Sequence, residues 1–420
     1  MKDGTVRIAD CRLRMSDQRR RIAAAALLAC LARPVAAHAQ LTAPREAAQI
    51  EFGPMSLYPS LQVVDAGTDS NVFDDAKNPQ QDLTFTLASR AFMVTRLGQN
   101  ELMFMTGSDY VWFKDFKQER SSNAIYSLRF NLSASRFKPF IGAERLRTRA
   151  RPTPEIEARA RRLERSVVAG SSFNLTERTA ITASGNFSES SYDDGEMFRG
   201  VDLAKSLNRN ERQYLAGVRY ALTPLTTMAI AGGYGESIFP DHVRDAKSYT
   251  FGPSFEFSPD AGIRGQASAG IQRFVPDNRQ FTQFTGLVFS TGINWTLWGH
   301  TSFDLRGSRN ISYSYKDTDP YYLLTSGRLA VIQKFFGPVE LSGAVERQFL
   351  SYRFRSGVLP GEDFTPDQAA RDIVTGGVGI ALGRGFKVVI TGERAVRKAT
   401  SDNEGNFTRT RLLSNITIGS

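Results

Sequence analysis

Four aspartates and Asn71 crowd one short stretch of this chain, YPSLQVVDAGTDSNVFDDAKN, from Tyr58 to Asn78. Asp65, Asp69, Asn71, Asp74 and Asp75 carry hard oxygen donors of the kind that bind calcium. An EF-hand loop would also need a glycine at its sixth position and a glutamate at its twelfth, and nothing here supplies both. A solvated hairpin loop is the favoured reading. Elsewhere the vocabulary of catalysis is thin: no G-x-S-x-G elbow, H-E-x-x-H pair, cysteine cluster or P-loop occurs. His242 and His300 both sit beside expected connections, which suits solvated loop residues better than catalysts. No catalytic residue, metal site or cofactor is expected.

The charges that stand out alternate with apolar residues. In NAIYSLRFNLS, from Asn123 to Ser133, Ala124, Tyr126, Leu128, Phe130 and Leu132 share one face, opposite Asn123, Ser127, Arg129 and Asn131. In other blocks Arg219, Arg264, Arg306, Arg328, Lys387 and Arg411 occupy the same wet face. So do Glu101, Asp109, Glu256, Asp304, Glu340, Glu346 and Glu393. If the apolar face meets lipid, these groups line a lumen, because an Arg or Lys facing lipid near the midplane costs ~2–4 kcal/mol. Charges of both signs suit a water-filled channel with a transverse field. Asn, Ser, Thr and Gln between them offer hydrogen bonds to sugar hydroxyls. Any hydrated barrel also needs polar filling, so a substrate track and plain filling both stay open.

The elements that would position these groups are strands. Tight turns are expected at Leu97–Asn100, Ser135–Lys138, Asn174–Arg178, Leu222–Leu225, Ser258–Gly262, Leu297–His300, Phe336–Pro338 and Leu382–Gly385. Longer, more polar connections alternate with them near 67–81, 115–120, 150–157, 192–207, 238–245, 274–280, 316–321, 352–367 and 398–406. That asymmetry is the pattern of an outer-membrane barrel. A sheet in hydrocarbon must also close on itself to satisfy its backbone. The expected fold is all-β: a transmembrane antiparallel outer-membrane β-barrel of about 18 strands, with both termini periplasmic. Tyr58, Trp112, Phe137, Phe140, Tyr220, Trp295, Trp298, Phe335, Phe336 and Phe386 lie near strand ends, where an interfacial girdle would want them.

The first residues read differently. Arg19 to Arg21, the apolar run from Ile22 to Ala32, and Ala37-His38-Ala39 form a secretory signal peptide with cleavage near Ala39. Met15 could be the true start, and a lipoprotein signal at Cys30 or a twin-arginine signal is a weaker alternative. Residues 1–39 are thus the presequence, 40–56 an unstructured periplasmic leader, and 57–420 the barrel. Cutting there removes Cys11 and Cys30 and leaves a cysteine-free chain, as suits an oxidising periplasm. The formal charge falls from +10 to +5, since eight Lys/Arg and three Asp/Glu precede residue 40. A nucleic-acid partner is thereby disfavoured. No later run reaches the ~18 apolar residues a membrane helix needs.

One block departs from the alternation. RLRTRARPTPEIEARARRLERS, from Arg145 to Ser166, sets Arg145, Arg147, Arg149 and Arg151 at strand spacing and continues through Arg159, Arg161, Arg162 and Arg165. It reads as two strands rising above the membrane around a Pro-containing loop, or as a short helix folded into the mouth. Its arginines could guide an anionic polymer or hold lipopolysaccharide phosphates.

The stretch LYPSLQVVDAGTDSNVF resembles the opening signature of the beta-barrel porin type 2 family, specifically at Pro59 and at Asp69, Ser70, Asn71, Val72 and Phe73. Asp65-Ala66-Gly67 departs from it where the family tends to carry an aromatic, and the chain ends NITIGS without a terminal aromatic. The resemblance implies an outer-membrane conduit of an exopolysaccharide biosynthesis and export system, acting passively and without enzymatic activity. Its partners would be outer-membrane lipid and lipopolysaccharide, the polysaccharide itself, and periplasmic polysaccharide export proteins. The alternative is a general or sugar-selective uptake porin, which an inward-folded loop would favour.

Overall fold

A computed structural model describes residues 50–258, 262–335, 337–353, 368–382, 385–400 and 405–418. The expected presequence, its cleavage site and residues 40–49 of the leader lie outside these, as do Phe336 and most of the 352–367 connection.

A short strand β1 (Ile50–Phe52) folds back on β2 (Met55–Asp69), so strand structure begins inside the segment expected to be leader. The wall continues through β3 (Asp82–Leu97), β4 (Asn100–Phe113), β5 (Ser121–Asn131), β6 (Phe137–Ala150), β7 (Ala160–Asn174) and β8 (Thr179–Tyr192). A ribbon of β9 (Met197–Phe198) and β10 (Val201–Asp202) and a helix α1 (Leu203–Leu207) interrupt it. It resumes with β11 (Arg209–Thr223), β12 (Thr226–Ile238), β13 (Ala246–Phe257), β14 (Ile263–Pro276), β15 (Phe284–Leu297) and β16 (Thr301–Tyr313). It ends with β17 (Tyr321–Lys334), β18 (Val339–Arg353), β19 (Gln368–Ala381), β20 (Phe386–Ala399) and β21 (Phe407–Ile418). Neighbours pair antiparallel, β8 joins β11 directly, and β21 closes on β2, giving a ring of eighteen strands. Closure leaves no edge for the bilayer to penalise.

The strands are built inside out, as a lipid solvent demands. On β11, Tyr214, Val218, Tyr220 and Leu222 are exposed on one face, while Glu211 and Arg219 on the other are buried. β2 breaks this alternation once. A bulge at Val64–Ala66 gives Asp65 a φ of 53°, and Asn415 Oδ1 accepts from its backbone N–H at 2.9 Å. The bulge turns Asp69 inward, and Gly67 follows it because a Cβ there would lie 1.9 Å from Leu412 O. Pro59 sits two residues before β2 begins to pair with β21 at Leu61, so its missing N–H costs no described ladder bond on that side.

The girdle needs correcting at two positions. Tyr58 and Phe140 are buried on the lumen side, Tyr58 beside Phe92 and Phe140 beneath Arg129. Proximity to a strand end does not decide which face an aromatic takes. Phe137, Tyr220, Trp295, Trp298 and Phe335 are exposed near the short-turn end. At the other end an unforeseen outward row runs Phe187, Tyr214, Tyr234, Tyr249 across four strands, with centroids 5.4–6.4 Å apart.

Candidate functional site

β6 and β7 pair regularly up to Ala150↔Ala160, where Pro152 and Pro154 remove donors and end the ladder. The nine residues between, Arg151–Arg159, form neither a helix nor an upright hairpin tip. They fold inward. Ile156 is fully buried in an apolar cluster with Phe198, Leu203, Leu207, Phe239, Phe274 and Tyr313. Completely burying an Ile or Leu side chain contributes about 1.5–3 kcal/mol, so this cluster gives the loop a strong reason to leave solvent.

The loop reaches the opposite wall. β6 and β17 are nine strands apart either way round the ring. Yet Ser314, in the β16–β17 connection, donates its hydroxyl to Glu155 Oε1 at 2.6 Å. On β20, Arg397 donates to the carbonyls of Pro154 and Glu155 at 3.2 and 3.4 Å and pairs with the Glu157 carboxylate. Arg199, from the β8–β11 connection, holds the other Glu157 oxygen at 3.3 Å. Burial pushes the Glu155 carboxyl up to about 7, against the Ser314 hydrogen bond.

The loop's base is tied to the signature residues. Arg151 donates to Val72 O at 2.6 Å and lies 3.3 Å from Asp74, and burial lowers its guanidinium to about 10. Arg409 on β21 pairs with Asp69 and, at 3.2 Å, with Asp74. Asn71 closes the turn, with Nδ2 donating to Asp75 O at 2.8 Å and Oδ1 accepting from Asp75 N at 3.0 Å. Asp69, Asn71, Val72 and Asp74 are all buried. The solvated hairpin loop expected here is instead a buried polar knot, because arginines from β21 and from the crossing loop supply its counter-charges. Phe73 packs edge-on against Phe116 at 4.9 Å, and the Ser70 hydroxyl accepts from Thr410 N at 2.8 Å. Among the described residues, no cluster of three or more His, Cys, Asp or Glu is placed to hold a metal ion.

Other long connections join in. Asp202 caps α1 by accepting from the Ala204 and Lys205 amides, which lets Leu203 and Leu207 face the cluster. The 192–207 connection, expected to be polar and outlying, is therefore partly core. Buried Arg244 reaches Asp317 at 2.6 Å. β16 stops pairing with β15 at Arg309 but stays with β17 to Tyr313. Only the β15–β16 seam opens there, since β17 stays paired with β18 up to Tyr321, and Tyr321, Tyr322, Leu323 and Leu324 are all buried, packing into two separate clusters.

The fourteen residues expected to line the lumen all sit on the inward face of their strands. They form ion pairs more than a free charged track: Arg219–Glu256 at 4.0 Å and Arg328 at 3.4 Å from Asp304 and 3.8 Å from Glu346 across strands, and Asp304–Arg306 at 2.9 Å along β16. Lys387 meets Glu340 at 2.5 Å and Arg411 Nε donates to Glu393 at 2.9 Å. Arg264 donates to Asn294 at 3.1 Å, and Arg129 lies 4.3 Å over the Phe140 ring. Glu101 is opposite Asn131 on the next strand, and Asp109 pairs with Arg90. Arg90, Arg371, Arg397 and Arg409 were missed. Strand parity would have found the last two, since they alternate in step with Glu393 and Arg411.

The arginine block divides. Arg145, Arg147, Arg161 and Arg165 are exposed on the outer flank. Arg149 pairs with Glu119 at 3.0 Å, Arg159 donates to Ser121 Oγ at 2.8 Å, and buried Arg162 pairs with Glu164 at 2.5 Å. His242 is exposed, and its Nδ1 lies 2.8 Å from Asp245.

Residues 43–379 match the family described as "Putative beta-barrel porin 2". No curated protein matches the chain. Among solved structures, OccK2 (OpdF) of Pseudomonas aeruginosa overlays with a TM-score of 0.48 at 11% identity, covering 86% of this chain and 98% of that one. OpdK of the same organism, crystallised with vanillate, gives 0.44 at 11% identity over 87% and 99%. A BenF-like porin of Pseudomonas fluorescens Pf-5 gives 0.46 at 10% identity over 88% and 100%.

Proposed function

This chain is a member of the family described as "Putative beta-barrel porin 2", and on that premise we propose that it is a passive outer-membrane channel for small hydrophilic solutes. The observation that carries the reading is the path of Arg151–Arg159, which crosses the lumen and is held by Arg397, Arg199 and Ser314. A barrel of ~16–18 strands otherwise encloses a wide aqueous channel. A loop pinned across it admits small molecules past paired charges and obstructs a chain. An exopolysaccharide conduit, which the opening signature implies, needs the lumen clear, and this loop stands against it. The reading places the long connections outside and both chain ends in the periplasm, as in outer-membrane barrels generally, after removal of a presequence near Ala39.

Liposome swelling with the purified protein tests the proposal. Monosaccharides should enter quickly and dextran should be excluded. Entry of acidic exopolysaccharide fragments as fast as monosaccharides would overturn it in favour of the conduit.

A further inference from the structure

We propose that the outer flank of β6 and β7 binds the phosphate groups of lipid A, the anionic anchor of the outer leaflet. Arg145 and Arg147 on β6, and Arg161 and Arg165 on β7, point away from the lumen, in step with the exposed apolar Ile141 and Val167 below them. Their height follows from register. Val167 is opposite Phe187, the first member of the outward aromatic row, and Arg165 is the next outward residue above Val167. An aromatic row marks the interface, so the arginines stand where lipid headgroups lie.

The flank is short of counter-charge. Arg145 is directly opposite Arg165, a like-charge pairing that destabilises a ladder unless an anion intervenes. Among the described residues, the side chains of Arg145 and Arg161 have no hydrogen-bond or ion-pair partner. The available carboxylates are Glu189, 3.2 Å from Arg165, and Asp193, 3.4 Å from Arg147, both well exposed. Four guanidinium groups against two carboxylates leave an excess of positive charge facing the membrane surface. Guanidinium forks match phosphate oxygens bidentately. Tyr126, exposed on β5 opposite Arg145, adds a hydroxyl donor at the same level. An anionic polymer in the lumen cannot meet these side chains, because they are on the other face of the wall.

The test is native mass spectrometry of the detergent-purified barrel with added lipid A, in bisphosphorylated and dephosphorylated forms. Bisphosphorylated lipid A should bind, the dephosphorylated form should not, and the R145Q/R165Q pair should weaken binding at least tenfold. R347Q is the control, since Arg347 is exposed on the distant β18 beside Asp372. Equal binding of both lipid forms overturns the proposal, as does unchanged binding by R145Q/R165Q or an equal loss in R347Q. If the double variant does not fold, the comparison of the two lipid forms on wild type decides alone.

Discussion

At the short-turn end of the barrel, strands reverse within a few residues and leave Leu97, Leu222, Leu225 and Trp298 exposed, the last at 83%. At the long-connection end, Ile156, Leu203 and Tyr321 are sealed from solvent at 0–1%. The first end is a wall that stops; the second is a small folded domain set into a mouth. The wall draws its stability from a closed ladder of backbone hydrogen bonds, which a change in one turn barely touches. The mouth depends on contacts between residues far apart in sequence, such as Arg397 and Glu157, which are separated by 240 positions. Substitutions should therefore be unequal in effect at the two ends.

The largest effect is expected from R409A, which among the described residues leaves buried Asp69 without its cation and buried Asp74 with Arg151 alone. Breaking a buried pair from one side costs about 3–5 kcal/mol. The folded band on unheated gels should be lost at a clearly lower temperature than in wild type. R397A comes next. It frees one side of Glu157 while Arg199 keeps the other, so the barrel should persist and sugar flux in swelling assays should rise severalfold.

A pH effect sharpens the contrast further. The docked Glu155 carboxyl titrates near 7, above its ordinary value of 4.5, because burial penalises its charge. A raised carboxyl favours the docked loop fully below about 4.5, and that advantage is lost as pH rises to about 7. Protease cleavage within the loop should be severalfold faster at pH 8 than at pH 5, and E155Q should flatten the dependence. The smallest effect belongs to the other end: W298A should change stability by less than about 0.5 kcal/mol in urea titration.

The same contrast explains what could be read from the sequence. Strand number follows from the alternation of short turns with longer connections, and the ring has eighteen strands; the inward parity from Glu101 to Arg411 follows from a second local rule, the period of two. Nearness to a strand end puts Tyr58 and Phe140 in the girdle, but it is a weaker rule than parity, and both face the lumen. The Asp69–Asp75 knot is out of reach of the sequence, and the crossing loop is legible only as a short helix folded into the mouth, because their partners come from other strands. A polar loop destined for solvent and one destined for buried arginines have the same composition. Arg397 and Arg409 were within reach, since both keep step with residues already placed.

Single-channel conductance in planar bilayers tests the central claim most directly, comparing wild type with a chain in which residues 152–158 are replaced by two glycines. If Arg151–Arg159 sets the width of the pore, the shortened chain should open in steps severalfold larger than wild type. Equal steps from two correctly folded barrels would mean that the constriction lies elsewhere, and the account of this loop would be wrong.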